Sequence, residues 1–306
     1  MPRLSPAKLL PLHNIAELQD GVLTRRQLRE HGYTEGVVRS RIKAGKWQTF
    51  GRDVVVMHNA RPTKNQRQWI AVLSQHLAAL AGVSAAAAHG LTGFDDDTVH
   101  ILIPHRARGH PVAGVRVHTS RSFDARHIHP GRTIPTVRIE RALVDAASWM
   151  PGERKACGIL AAGVQQRLTT AERLRPQLAA AHRARHHRLL MSVIDDIEGG
   201  AQSFAEIDIA RFARSAGLPA PVRQVFRYDD GGRRRWLDAD FDGFSVEIDG
   251  ALHLRPLRYW DDMERQNDLV IVTGKPILRF STVAFRIAES KVVAQLAGAA
   301  SRFGHS

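Results

Sequence analysis

Hydrophobic positions along the chain follow two spacings, and each predicts its own kind of element. Through the first third they recur every three or four residues in short runs, the period of helices. Ile15 and Leu18 mark a brief helix near residues 14–20. Arg25–Glu30 reads as a second helix, opened by Thr24 with Gln27 three residues on, which is capping-box spacing, and stopped at Gly32. A third follows Thr34. Its apolar side is expected to be Val37, Val38 and Ile42, its solvent side Arg39, Arg41 and Lys43, and Ala44-Gly45 ends it. Trp47–Phe50 and Val54–Met57 then read as strands joined by Gly51-Arg52-Asp53. Helix, tight turn, basic helix and hairpin, in that order, is the plan of a winged helix-turn-helix, whose third helix enters the major groove while the hairpin lies over the phosphates.

The middle of the chain keeps helical spacing with little chemistry. Thr63 and Gln66 form another capping box, opening a helix expected to run through Trp69, Val72, Leu73, Leu77 and Leu80 to Gly82. Ser84 is expected to cap an alanine-rich turn reaching His89. Val99–Ile103 and Val115–His118 alternate as strands, and helices are expected near Arg138–Ser148, around Cys157, from Thr169 to about Arg185 and from about Leu189 to Ile197. His182 and His186 have a metal-compatible helical spacing, but Arg183, Arg185 and Arg188 beside them would repel a cation, so the segment reads as a solvated basic helix. Cys157 reads as a small buried apolar residue.

Strict alternation takes over after Gly199-Gly200. A helix is expected after Ser203, strands at Val222–Tyr228, Arg234–Phe241 and Phe244–Asp249, a helix over about Arg258–Thr273, a strand Pro276–Phe280 and a terminal helix. Asp242-Gly243 is the dipeptide of a two-residue type I′ hairpin. With those two residues in the loop, Phe241 pairs with Phe244, Asp240 with Ser245, Ala239 with Val246 and Asp238 with Glu247. Leu237, Ala239, Phe241, Phe244, Val246 and Ile248 then share an apolar face, and Asp238, Asp240, Glu247 and Asp249 share the other.

Directly opposed like charges are destabilising, so Asp238 facing Glu247 needs compensation. Protons shared by the cluster would supply it, as would arginine from Arg233–Arg235, or a divalent cation for which these oxygens are ligands. Glu206, three residues after Ser203, is open to two readings: a further carboxylate for the site, or the closing member of a capping box.

Charge changes the meaning of this cluster. The 306 residues hold 44 Lys+Arg against 30 Asp+Glu, a formal net charge of +14. Such an excess points to a polyanion, nucleic acid before membrane, with an arginine-rich solvated surface as the alternative. A local patch of carboxylates in a basic chain is what phosphodiester cleavage needs: metal for the developing charge, Arg and Lys for the backbone. The single cysteine excludes an intrachain disulfide framework and a cysteine-based zinc site. With no apolar run near the ~18 residues of a membrane helix, the expectation is a cytoplasmic protein without membrane contact. Aromatic content of 6% argues against base-stacking RNA recognition.

Two resemblances sharpen this reading. Asp20-Gly21-Val22-Leu23-Thr24-Arg25-Arg26-Gln27-Leu28, followed by Gly45-Lys46-Trp47, resembles the N-terminal domain of AbiEi-family antitoxins of type IV toxin–antitoxin systems over about residues 10–60, which implies an operator-binding winged helix. It departs at the wing, where the family's usual proline-glycine-tyrosine ending is here Gly51-Arg52-Asp53-Val54-Val55-Val56. Over about residues 200–298 the chain resembles the PD-(D/E)XK nuclease superfamily, most closely its Vsr-like branch. The motifs are Leu237-Asp238, Glu247-Ile248-Asp249-Gly250 with His253, Arg265-x-Asn267-Asp268-Leu269, and Ile277-Leu278-Arg279-Phe280. This resemblance implies Asp238 and Glu247 as metal ligands and Asp249 in the slot that often holds Lys. His253 and Arg265 would assist with the base or the scissile phosphate. Leu254 and Pro256 stand where the family commonly continues with an aromatic.

The expectation is an α+β multidomain chain: a winged helix-turn-helix over 1–60, a mixed α/β and helical region over 61–199, and an αβββαβ endonuclease-type domain over 200–306. Its function would be metal-dependent hydrolysis of DNA, with a non-catalytic AbiEi-type antitoxin or repressor as the alternative. Asp238, Glu247, Asp249, Glu206, His253 and Arg265 are the expected catalytic set, the first three also binding Mg²⁺ or Mn²⁺. Arg25, Arg26, Arg39, Ser40, Lys43, Lys46, Arg52 and Lys275 are the expected contacts to double-stranded DNA. A partner toxin or self-association is the further expected interaction.

Overall fold

Thr24 ends one element and opens the next. It closes strand β1 (Val22–Thr24), and its side chain accepts the Gln27 N–H at 3.1 Å while the Gln27 side chain accepts the Thr24 N–H at 2.8 Å, so the expected capping box starts α2 (Arg25–Glu30). The computed structural model describes residues 11–107, 109–199, 209–228, 234–249, 274–281 and 284–304. They form a mixed α+β chain with three small sheets, divided into two compact units, residues 1–146 and 147–306. Among the described residues no helix is long and apolar enough to cross a membrane.

In the first unit α1 (Leu12–Leu18) precedes β1 and α2. Then come α3 (Glu35–Lys43), capped by Thr34, and strands β2 (Gln48–Phe50) and β3 (Val54–Val56). The antiparallel sheet runs β1-β3-β2. Alternation sends its side chains to two cores. Leu23 and Val55 pack with Leu28, Val38 and Trp47, whereas Val22, Val54 and Val56 pack with Trp69 and Ile70 of α4 (Lys64–Leu73). The central strand β3 is thus buried on both sides.

α4 stops at Leu73, short of the expected Gly82. Leu77 has a left-handed φ of 54° and is 63% exposed, and Ala79–Leu80 form β4, paired antiparallel with Leu102 and Ile101 of β5 (Val99–Pro104). The helical spacing of Leu77 and Leu80 is coincidental here, because sheet pairing overrides it. Ser84 does not cap either: α5 (Gly82–Ala88) begins without a side-chain cap, and the Ser84 hydroxyl accepts the His100 N–H at 2.8 Å. β6 (Val115–Ser120) pairs parallel with β5, and α6 (Ile139–Trp149) follows.

In the second unit α9 (His187–Gly199) packs against α7 (Glu153–Gln165) and α8 (Ala171–Ala180). α8 ends well before the expected Arg185, so His182 and His186 do not share a helix and the metal-compatible spacing is not realised. Beyond it lie α10 (Ile209–Ser215), β7 (Val222–Tyr228), β8 (Arg234–Phe241), β9 (Phe244–Asp249), β10 (Ile277–Ser281), α11 (Ala284–Ile287) and α12 (Glu289–Phe303). The sheet order is β10-β9-β8-β7, antiparallel except for the β9–β10 pair. Ala239, Phe241, Phe244, Val246, Ile248 and Phe280 cover Ile209 and Phe212 of α10 and Val292 and Leu296 of α12. The expected helix over about Arg258–Thr273 lies outside the described residues.

Candidate functional site

The hairpin of β8 and β9 carries the acidic cluster. Over the three pairs nearest the turn its register is the expected one, Phe241 opposite Phe244, Asp240 opposite Ser245 and Ala239 opposite Val246, but among the described residues the ladder ends there and the expected pairing of Asp238 with Glu247 is not part of it. Gly243 makes the turn at φ 82°, and a Cβ there would overlap the Phe303 carbonyl oxygen, so the end of α12 closes directly on the turn. Phe241 and Phe244 stack with centroids 4.7 Å apart and 5° between planes, fixing the root of the hairpin from its apolar face.

One step beyond Ala239–Val246, the Asp238 carboxylate takes over the ladder. The hydrogen-bond alternation points the Ile248 N–H toward the backbone of Leu237, but the Oδ2 of Asp238 accepts it at 2.6 Å. Leu237 correspondingly leaves the main core and packs with Ile277 in a small separate cluster, a correction to the strict alternation expected for β8.

Like Asp238, the acidic side chains of Asp240 and Glu247 each have a named neighbour. Asp240 accepts the Ser245 hydroxyl at 2.6 Å and lies 3.8 Å from the Lys275 ammonium, which also donates to the Phe241 carbonyl at 3.3 Å. Glu247 stands opposite Arg279 in the parallel β9–β10 register, with Oε2 3.5 Å from Nε. Among the described residues the positive charge beside Glu247 comes from Arg279 of β10, whose pairing sequence reasoning missed; the side chains of the expected Arg233–Arg235 lie outside the described residues. Parallel pairing brings Arg279 from far along the chain, and its signals, the alternation Ile277, Arg279 in the last strand and the motif Ile277-Leu278-Arg279-Phe280, do not say which residue it faces.

The donor chemistry of Asp238 and Glu247 suits a hard cation, since Mg²⁺ is usually held by one or two carboxylates, water and substrate phosphate. Arg279 and the Ile248 amide share those carboxylates. Among the described residues no cluster of three or more His, Cys, Asp or Glu could hold a metal ion. Glu206, His253 and Arg265 lie outside the described residues, as does the Asp249 side chain; the Asp249 backbone is in register with Ser281.

The basic candidates of the first unit fall into two groups. Arg39, Ser40, Lys43, Lys46 and Arg52 are exposed, and none of these cations is drawn into an ion pair among the described residues. Arg26 is exposed but pairs with Glu30 at 3.2 Å. Arg25 is a brace: its guanidinium meets Glu35 of α3 at 2.5 Å and donates to the Arg52 carbonyl at 3.1 Å, tying α2, α3 and the β2–β3 turn together. On α3 itself Val38 is 2% exposed, but Val37, expected on the buried side, is 42% exposed.

Two further chemical groups are accounted for by burial. His118 is held down at about 4, first by desolvation, then by His100 and Arg116. It meets His100 Nδ1 at 3.1 Å, and His100 Nε2 meets Asp96 at 3.1 Å. The Cys157 thiol is pushed up to about 11, mainly by burial, which fits an inert core residue rather than a nucleophile. No protein-family model matches the chain, and no curated protein is significantly similar to it.

Proposed function

We propose that this chain is a DNA-binding protein with three parts. Residues 1–60 form a winged helix-turn-helix that docks on duplex DNA, 61–199 an antitoxin-like middle region, and 200–306 a Vsr-like PD-(D/E)XK domain that hydrolyses phosphodiester bonds. The observation that supports it is the acidic hairpin itself: Asp238 lies one step from the Ala239–Val246 pair with its carboxylate on the Ile248 amide, next in the chain to Glu247, and Arg279 and Lys275 stand on Glu247 and Asp240 of the same ribbon. Asp238 and Glu247 would hold Mg²⁺ or Mn²⁺, which when bound would neutralise phosphate charge and lower the pKa of water. Arg279 and Lys275 would contact phosphate oxygens, Asp240 and Ser245 keep Lys275 aimed along the ribbon, and Asp249, His253 and Arg265 take the roles that the resemblance implies.

A second reading rests on a specific pair of contacts. Arg279 on Glu247 and the Ile248 amide on Asp238 already engage each of the two carboxylates, which suits a non-catalytic AbiEi-type regulator, acting with a partner toxin or as a self-associated repressor. One experiment separates the two. The full chain and its Asp238→Asn, Glu247→Gln variant are given supercoiled and linear DNA with Mg²⁺ or Mn²⁺, and binding and cutting are scored separately. A nuclease keeps binding and loses cutting in the variant; a regulator binds in both forms and cuts with neither.

A further inference from the structure

α3 exposes two stripes, and only one of them is purely ionic. Residues four apart on a helix lie on one line. Arg39 and Lys43 make one such line; Val37 and Arg41 make the other, with Ser40 between them. All five are exposed, whereas Val38 and Ile42 face the core. Nearly half of Val37 is open to water on the same stripe as Arg41, and Val37 is not part of the cluster in which Val38 and Ile42 pack. Glu35, the acidic residue at the start of α3, is paired with Arg25, which removes the negative charge nearest that face. The surface left is cationic with one small apolar spot.

Charge decides the partner. A cationic helix face suits a polyanion, and in the major groove the thymine C5-methyl is the apolar feature among polar base edges. We infer that Val37 reads the C5-methyl of a thymine in duplex DNA, with Arg41 on the same line toward the base edges and Arg39 and Lys43 toward the phosphates. This rests on the proposed winged-helix reading and adds to it a specificity-determining residue.

The test uses the full chain. Bound sequences are selected from a random duplex pool, and each thymine of the selected site is replaced in turn by deoxyuridine, which lacks only the methyl group. At one position the replacement should weaken binding about fourfold, the value of burying one methyl-sized group. Val37→Ala, which shortens the side chain to Cβ, should lose the same factor on the thymine site and become indifferent to the replacement, while Val37→Thr, which keeps a γ-methyl, retains the discrimination. Because Val37 is exposed, an unchanged melting temperature confirms that the variants fold. Selection of a site at which every deoxyuridine acts equally on wild type and Val37→Ala overturns the inference and leaves DNA binding standing. Binding without any preferred sequence does the same. Failure to bind any duplex overturns both.

Discussion

Arg279 and Glu247 face each other across the parallel β9–β10 pair of the four-stranded sheet, 3.5 Å apart and equally exposed. A pair with each side chain 23% exposed and 3.5 Å apart is still reached by water and is weak, so it can share its carboxylate with another cation. Arg279→Gln leaves Glu247 to that cation alone. In the nuclease reading, Mn²⁺ binding by the full chain, followed by calorimetry, should tighten about two- to fivefold, the worth of the removed pair. Cutting should slow at the same time, because a phosphate contact goes with the guanidinium. Binding that weakens, or heat absent from both proteins, counts against a metal at this carboxylate.

Arg25 and Arg39 should behave differently although both are arginines near α3. Arg25→Ala removes the brace to Glu35 and Arg52 and should cost about 1 kcal/mol of stability, visible as a lower denaturant midpoint. Arg39→Ala should leave the midpoint unchanged, weaken duplex binding across all sequences, and reduce the slope of log K against log salt by about 1.

Acid should destabilise the first unit through His100, which is buried, and His118, which is partly so. His118 is held at about 4 in the folded chain and His100 is also lowered, chiefly by burial, although Asp96 pulls it upward. Unfolded, both would titrate near the ordinary value of about 6.5. Between these values the unfolded chain binds more protons, so stability rises with pH and is lost as pH falls from about 6.5 to about 4. With His118 only partly buried, the loss should be roughly 1–2 kcal/mol. Urea midpoints measured at either end of this window check it, and His118→Phe should flatten the difference.

Gly243→Ala should destabilise the second unit for two reasons that can be separated. A positive φ strains any side chain, costing about 1 kcal/mol, and the added Cβ would overlap the Phe303 carbonyl. Ending the chain at Arg302 removes the overlap but not the strain. Urea denaturation should show the substitution costing clearly less in the shortened chain than in the full one.

Sequence pattern located the hairpin to the residue because two independent signals agreed there: alternation along β8 and β9, and the Asp-Gly turn between them. The capping boxes at Thr24 and Thr63 were legible for the same reason, since each is a local bond between residues three apart. Contacts made over distance were not. Arg279 reaches Glu247 through a parallel pairing, Leu80 joins a strand whose partner is Ile101, and Leu237 turns to Ile277 once Asp238 occupies the ladder. Val37 and Val38 show the finest limit, because adjacent helix residues diverge by 100° and the boundary of an apolar face decides which one meets the core.

The doubly covered strand β3 has a mechanical meaning. Val38 of α3 rests on one side of the sheet and Trp69 of α4 on the other, so displacing either helix would uncover apolar surface across the thickness of three short strands. The two helices therefore move as one body, and a load applied at the outer face of α3 is carried through to α4 instead of being absorbed by a local shift.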